Sequence, residues 1–82
     1  MLPVPARSSA SVRKKLGARL RAIRTARTPR LSQEALAHAA GLERAYVSGV
    51  ERGEFNVSVD TLVRLARVLR VHVREFFAFD LK

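Results

Sequence analysis

The sequence contains no cysteine, only two histidines and no long apolar run. The absence of cysteine excludes disulfides and cysteine-ligated zinc sites, and it is compatible with a reducing compartment. His38 and His72 have no set of neighbouring ligands at metal spacing, so we predict neither a metal site nor any other cofactor. No segment approaches the roughly 20 consecutive apolar residues of a membrane span, so we expect no membrane-spanning helix.

Acidic residues are missing from the first part of the chain. Residues 1–33 contain nine basic side chains and no acidic one, whereas residues 34–82 contain seven of each sign. The whole net charge of +9 therefore lies in residues 1–33. Such a one-sided positive block attracts a polyanion, with nucleic acid favoured over an anionic membrane surface. A surface that only confers solubility would mix charges of both signs.

Catalytic motifs are missing as well. There is no cysteine nucleophile, no carboxylate pair in a recognisable motif and no glycine-rich phosphate loop. We therefore predict that the protein is not an enzyme. A membrane-surface peptide is also disfavoured, because the apolar stripe of the first predicted helix lacks tryptophan and phenylalanine and is needed for the core.

The 82 residues are enough for one small domain. Residues 1–10 contain two prolines and lack helical periodicity, so we predict a flexible N-terminal arm followed by a domain over residues 11–82. Ser11 is the predicted N-cap of a first helix that ends near Ala26 or Arg27, before Thr28-Pro29. Gly17, in the middle of this helix, is expected only to lower its helix propensity slightly.

Four further helices are indicated by caps and apolar periodicity. Ser32 and Ser58 are good N-caps, and Gly41 suits a left-handed C-cap. No segment alternates like a strand over a useful length. The sequence therefore predicts an all-α fold of five helices, in which the last four span Gln33–Ala40, Glu43–Arg52, Ser58 to about Arg70, and His72–Phe77.

The second and third predicted helices are both short and are joined by a short turn. This arrangement is typical of a helix-turn-helix, which places its second helix in the major groove of DNA. Ala37 would let the two helices approach closely, and Gly41 would permit a positive φ at the turn. Val47 and Val50 are expected to point into the core, which leaves an outward face of Arg44, Ala45, Ser48 and Gly49.

These segments resemble the lambda and 434 repressor family of helix-turn-helix, XRE-type transcriptional regulators. The matching segments are LSQEALA, AAGL, YVSGVERG, TLVRLARVL and VREFF, in family order within residues 16–77. The resemblance implies a five-helix, lambda-repressor-like DNA-binding domain with the helix-turn-helix at helices 2 and 3. Within the family, RAYVSGVERG is most similar to the small controller proteins of restriction–modification systems.

The resemblance also implies roles for individual residues. Arg44 would pair with guanine O6 and N7, and Ala45 would touch a thymine methyl group. Partial core packing is an equal alternative for Tyr46. The residues predicted to contact bases are Arg44, Ala45, Ser48 and Gly49, and those predicted to contact phosphates are Gln33, Tyr46, Arg52 and Asn56.

A carboxylate at the position of Glu51 pairs, in this family, with an arginine of the first helix beneath the DNA-facing surface. Arg24 is the best-placed partner by register, so we predict a structural ion pair between Arg24 and Glu51. If the pair is deeply buried, removing one partner costs about 3–5 kcal/mol, because the other charge is left unpaired.

The sequence departs from the family pattern at three places. The loop before Leu31 is longer than usual and contains Pro29, and Arg70 stands where the family often has a helix-ending glycine. The first ten residues have no family counterpart. They are either a minor-groove arm that reads DNA through Arg7 or a disordered segment, and the composition favours the second.

The implied mechanism is occupancy of an operator by a symmetric dimer. Such dimers bind half-sites one helical turn apart, about 34–36 Å. The C-terminal segment has more large apolar groups than one short helix can bury, although some will pack onto the core of the same chain. We therefore predict that a two-fold interface is formed by some of Val73, Phe76, Phe77, Phe79 and Leu81.

The sequence thus predicts a sequence-specific, double-stranded-DNA-binding transcriptional regulator that acts as a homodimer on a (pseudo)palindromic operator. We expect a cytoplasmic, nucleoid-associated location. The alternative is an antitoxin that binds a toxin protein and its own promoter, since such proteins share this fold. RNA polymerase and a toxin are the candidate protein partners.

Overall fold

The chain folds into four α-helices and one 3₁₀ segment. The structure is a computed structural model that describes the backbone of residues 6–80 and the side chains of residues 9–80. Its elements are α1 (Ala6–Thr25), α2 (Gln33–Ala40), α3 (Arg44–Glu51), α4 (Val59–Leu69) and the 3₁₀ segment Val73–Phe77. Residues 6–80 contain no strand, which confirms the all-α class. The predicted count of five α-helices is not confirmed, because the last element is a 3₁₀ turn.

The first helix begins earlier than predicted. It starts at Ala6, so Ser11 is not its N-cap and residues 6–10 belong to α1 rather than to an arm. A serine inside a helix costs only a fraction of 1 kcal/mol relative to alanine, so the serines of this segment were weak stop signals. Residues 1–5 and the side chain of Arg7 lie outside the described part of the chain, and so does Leu81.

The hydrophobic core receives side chains from every element. The two leucines of α1 lie in a stripe at helical spacing, and α2 and α3 meet through small and β-branched residues. Phe76 closes the core from the C-terminal side and has no exposed surface. The core consists of Leu16, Leu20, Leu36, Ala37, Ala40, Val47, Val50, Leu62, Leu65, Ala66, Leu69 and Phe76.

The turn between α2 and α3 has the predicted construction. The Ser32 hydroxyl accepts a hydrogen bond from the Ala35 amide at 3.0 Å and caps α2. Gly41 has φ 70°, and the amides of Gly41 and Leu42 donate to the carbonyls of His38 and Ala37 at 3.2 and 2.8 Å. This is a Schellman cap, in which glycine supplies the left-handed residue. Ala37 is buried in the core.

Gly17 has a packing role that helix propensity does not reveal. A Cβ at this position would overlap the carbonyl oxygen of Val50 and lie 2.5 Å from that of Glu51. The backbone of α1 therefore passes directly over the C-terminal end of α3. Lys14, one turn earlier on α1, lies close to Gly53, which follows α3 with φ 80°: a Cβ built on Gly53 would be 2.7 Å from Lys14 Cγ. The expectation that Gly17 only weakens α1 was incomplete.

The C-terminal segment is held against α1. Arg19 Nε donates to the Glu75 carbonyl at 2.9 Å, and its guanidinium lies 3.5 Å from the Glu75 carboxylate. Lys15 donates to the Asp80 carbonyl. Since Phe76 is fully buried in the core of its own chain, its predicted place in a dimer interface was wrong. Val73 and Phe79 are half-buried against the same core, whereas Phe77 is 47% exposed.

The end of α4 repeats the cap of α2 without a glycine. Arg70 has φ 57° and ψ 43°, and it is the one left-handed residue other than glycine within residues 6–80. The amides of Arg70 and Val71 donate to the carbonyls of Arg67 and Ala66 at 3.2 and 3.0 Å. The turn is therefore a Schellman cap whose left-handed position carries a Cβ, which is sterically unfavourable.

Replacing Gly17 with alanine is expected to lower the free energy of unfolding by about 1–3 kcal/mol, because α1 must move away from the α3 carbonyls. Helix propensity alone predicts a gain of about 1 kcal/mol instead. Urea unfolding measures the sign. Ala18→Gly at the neighbouring exposed position is the matched control, with a loss of about 1 kcal/mol. A more stable Gly17→Ala protein would contradict the close approach of the two helices.

Replacing Arg70 with glycine is expected to stabilise the fold by about 0.5–1 kcal/mol, since it relieves the left-handed strain at the cost of some chain entropy. Thermal unfolding followed by circular dichroism measures the difference. Arg70→Ala removes the same charge but keeps a Cβ, so it is expected to give no comparable gain. Equal effects of the two substitutions would attribute the change to the side chain and not to the backbone.

Candidate nucleic-acid interface

An open cleft of about 670 Å³ lies where α1, α2 and α3 meet. Its lining contains five arginines and two glutamates, and it includes the first residues of both α2 and α3. The excess of positive charge and the unpaired amides of a helix N-terminus both favour a bound anion. The lining residues are Arg21, Arg24, Arg30, Ser32, Gln33, Glu34, Arg44, Ser48, Glu51 and Arg52.

A buried ion pair lies at the base of the cleft. Arg24 donates from Nε and Nη2 to the two carboxylate oxygens of Glu51, at 2.6 and 2.9 Å. The side chains are only 8% and 3% exposed. The remaining nitrogen of the guanidinium, Nη1, donates to the Leu31 carbonyl at 3.1 Å. A bidentate arginine–carboxylate pair fixes the relative orientation of its two helices, so Arg24 joins α1 to the end of α3 and to the loop before α2.

Gln33 extends this network into α2. Its side-chain amide donates to Glu51 Oε1 at 2.9 Å. The Glu51 carboxylate therefore accepts three hydrogen bonds, which satisfy a charge that would otherwise be costly to bury. The structure thus places the side chain of Gln33, a predicted phosphate contact, on Glu51. The backbone amides of Gln33 and Glu34 have no intrahelical acceptor and remain as anion donors at this helix end, whereas the Ala35 amide is bonded to Ser32.

A second arginine is held on the exposed side of α3. Arg52 donates from Nε and Nη2 to the carboxylate of Glu54 at 2.8 and 3.0 Å, and from Nη1 to the Ser48 hydroxyl. The hydrogen bonds from Arg52 hold the pKa of the exposed Glu54 carboxyl below its ordinary value. The structure thus brings together two predicted DNA-contacting residues, Ser48 and Arg52, as one hydrogen-bonded unit.

Arg44 and Ala45 lie at the start of α3 with exposed side chains. Within residues 9–80, Arg44 makes no hydrogen bond and no ion pair, unlike Arg24 and Arg52. Its guanidinium keeps all five donors, which suits bidentate recognition of a base edge or a phosphate. Asn56, predicted as a phosphate contact, is exposed in the loop after α3 and lies outside the cleft lining.

Gly49 does not lie on the outward face, contrary to prediction. It is buried beneath the ring of Phe55, and a Cβ at position 49 would lie 2.7 Å from Phe55 Cδ2. The same ring stacks on Tyr46, with centroids 5.4 Å apart and an angle of 18° between the planes. Tyr46 is half-buried and packs against the core, as the alternative interpretation of this residue proposed.

Three residues of this surface were not predicted. Arg21 and Arg30 line the cleft from α1 and from the loop before α2. Arg21 precedes Arg24 by three residues, so helical spacing offered a signal for it. Phe55 was assigned only to a loop, and no pattern in the sequence shows that a loop residue will cover a glycine of the preceding helix.

Other classes of site find no support in the described part of the chain. The side chains of residues 9–80 include no cluster of histidine and carboxylate groups that is arranged to hold a metal ion. None of the helices within residues 6–80 is both long enough and apolar enough to cross a membrane.

Comparisons with known proteins agree with this geometry. Residues 20–76 match the family model HTH_3, described as helix-turn-helix. Control protein C.BamHI of Bacillus amyloliquefaciens is 35% identical over 69 residues, which cover 84% of each chain. Control protein C.SmaI of Serratia marcescens is 51% identical over 43 residues, 52% of this chain and 51% of that one.

A solved structure shows the same likeness. The crystal structure of the restriction-modification controller protein C.AhdI from Aeromonas hydrophila superposes with a TM-score of 0.76 at 50% sequence identity. The match covers 83% of this chain and 98% of that one. The family model spans most of the chain and includes the capped turn, the ion pair and all of α3. The chain therefore belongs to the HTH_3 helix-turn-helix family.

Proposed function

We propose that the protein is a sequence-specific, double-stranded-DNA-binding transcriptional regulator of the controller type. The observation that carries this proposal is the position of Arg44, which is exposed and unengaged at the first turn of α3 and beside a cleft with excess positive charge. In a helix-turn-helix, the N-terminal residues of the second helix are those that reach base edges. The likeness to two control proteins and to one restriction-modification controller protein supports the same conclusion.

The interface has two kinds of contact in this proposal. Arg44 and Ala45 read the edges of bases in the major groove, through paired hydrogen bonds and through apolar contact with a thymine methyl group. Arg21, Arg30 and the amides at the start of α2 bind phosphates and set the register of α3. Arg52 also binds a phosphate, and its guanidinium is held in place by hydrogen bonds to Glu54 and Ser48.

A symmetric dimer completes the proposed regulator. Phe77 is half-exposed at the C-terminal 3₁₀ segment, with its ring 6.3 Å from that of Phe79. Val73 and Phe79 are only partly covered by their own core, so a two-fold partner would bury the rest of all three side chains. Such a dimer presents two copies of α3 to the half-sites of a palindromic operator at the nucleoid, and occupancy then controls transcription.

Arg44→Ala is expected to reduce strongly the discrimination between an operator and a scrambled duplex. Fluorescence anisotropy titrations of a labelled duplex from the region upstream of the gene, at several salt concentrations, measure this. The unmodified protein should bind the operator at least about 10³-fold more tightly than the scrambled duplex. Loss of a bidentate guanine contact reduces operator affinity by about 1–3 kcal/mol in each half-site.

The matched control is Arg67→Ala, which removes the same charge from an exposed position on α4 outside the cleft. It should weaken binding to both duplexes slightly and equally, since phosphate attraction does not depend on sequence. If Arg44→Ala and Arg67→Ala had the same effect, Arg44 would not be a base reader. Absence of binding to any duplex at low salt would refute the proposed function.

Phe77→Glu is expected to convert the proposed dimer into monomers, because a carboxylate would be desolvated in an apolar interface. Sedimentation equilibrium measures the mass in solution. Val59→Glu introduces the same charge at a 72% exposed position at the other end of α4 and should leave the dimer intact. An unchanged mass for Phe77→Glu would remove the 3₁₀ segment from the interface.

A further inference from the structure

The ring of Phe55 occupies the space that a side chain at position 49 would fill. The three atoms nearest to a Cβ built on Gly49 all belong to this ring. The ring is stacked on Tyr46, which lies one turn before Gly49 on α3. Phe55 nevertheless remains 42% exposed. The exposed part of α3 at this point is therefore an aromatic surface contributed by the following loop, not by the helix itself.

The position of the loop is fixed by two contacts, one to α3 and one to Arg52, the residue that follows it. The Glu54 amide donates to the Gly49 carbonyl at 2.9 Å, and the Glu54 carboxylate is bound by Arg52. The residue between these contacts and the exposed Asn56 is Phe55. Because the backbone on its N-terminal side is pinned to α3, the ring is presented in a defined place and not on a mobile tip.

This place adjoins the proposed base-reading face. Positions 45 and 49 are four residues apart and lie one turn apart along the same edge of α3. Ala45 is exposed at the first turn, and the Phe55 ring stands over Gly49 at the second. An α-helix of eight residues is about 12 Å long, comparable with the width of the major groove, so both turns lie within reach of base edges.

The chemistry of the ring selects its partner. Phenylalanine has no hydrogen-bonding group, so it cannot read donors or acceptors, but it makes favourable contact with the methyl group at C5 of a pyrimidine. Thymine carries this methyl group, and 5-methylcytosine carries the same group at the same position. Arg44 and Ser48, on the neighbouring edge of α3, and Arg52, which follows the helix, are polar, so the ring is the large apolar group next to this face.

We propose that Phe55 is a specificity-determining residue that contacts the C5-methyl group of a pyrimidine in the major groove. Its ring takes the place of a base-contacting side chain at position 49, where glycine has none. The inference rests on the proposed function, since it requires that α3 enters the groove. It assigns a base preference to a loop residue outside the helix-turn-helix.

The test begins with selection of bound duplexes from a random-sequence pool by the full chain. In the enriched site, each thymine is then replaced in turn by deoxyuridine, which removes only the methyl group, and affinity is measured by anisotropy. The unmodified protein should lose about fourfold in affinity for each contacted methyl group. Phe55→Ala should bind the thymine and deoxyuridine duplexes equally at that position.

Two further variants separate contact from folding. Gly49→Ala keeps Phe55 but displaces its ring, so it should also lose the dependence on the methyl group. Val59→Ala, which shortens another exposed apolar side chain, should keep it. Circular dichroism establishes that each variant retains the helical fold. The protein should bind a duplex with 5-methylcytosine at the same position more tightly than one with cytosine, because only the methyl group differs. Comparison of the 5-methylcytosine and thymine duplexes then shows which base the protein prefers.

The outcomes are distinguishable. If the pool yields an enriched site but deoxyuridine has no effect, or if Phe55→Ala keeps the full methyl dependence, the role of Phe55 is refuted while the proposed function stands. If no sequence is enriched at all, the proposed function fails and the role of Phe55 fails with it.

Discussion

The buried pair of Arg24 and Glu51 is the interaction on which the arrangement of α3 depends. The glutamate is the last residue of α3, and its carboxylate is bound by an arginine of α1 and an amide of α2. The same arginine also binds the Leu31 carbonyl in the loop between these helices. Helices α1, α2 and α3 and the loop before α2 are therefore all joined through this ion pair. Removal of either partner would leave a desolvated charge beneath the cleft, and the remaining contacts between these segments are mostly apolar and less directional.

Side chains around this pair differ in how strongly they are held. Arg24 is satisfied on all sides, Arg52 is restrained by Glu54 and Ser48, and Arg44 has no partner within residues 9–80. This order runs from the base of the cleft to its exposed rim. A side chain that exchanges water for a base edge loses the least free energy on binding when it has no hydrogen bond within the protein to break. A side chain that orients a helix must instead stay in place.

Local features of the fold were predictable from the sequence, and close approaches were not. Ser32, Gly41 and Ser58 mark helix ends through short-range hydrogen bonds, so their roles were visible in the residue types. The partner of Glu51 followed from the family resemblance and helical register. By contrast, the contact of Gly17 with α3, the cover of Gly49 by Phe55 and the burial of Phe76 depend on how distant segments pack. The sequence shows that a residue is glycine, but not whether another segment packs closely against it.

Helix α1 connects α3 to the C-terminal segment, the two surfaces that the proposed dimer would use. Its residues Gly17 and Arg24 contact the end of α3, and Lys15 and Arg19 hold the C-terminal segment. Both sets lie on one continuous helix, which is stiff over this length. In a dimer built on the C-terminal segment, the separation of the two α3 helices is therefore set by the diameter and register of α1 and not by a flexible linker. Such a protein would tolerate only a narrow range of distances between half-sites. The spacing of the operator would then be encoded in α1, a helix that reads no base.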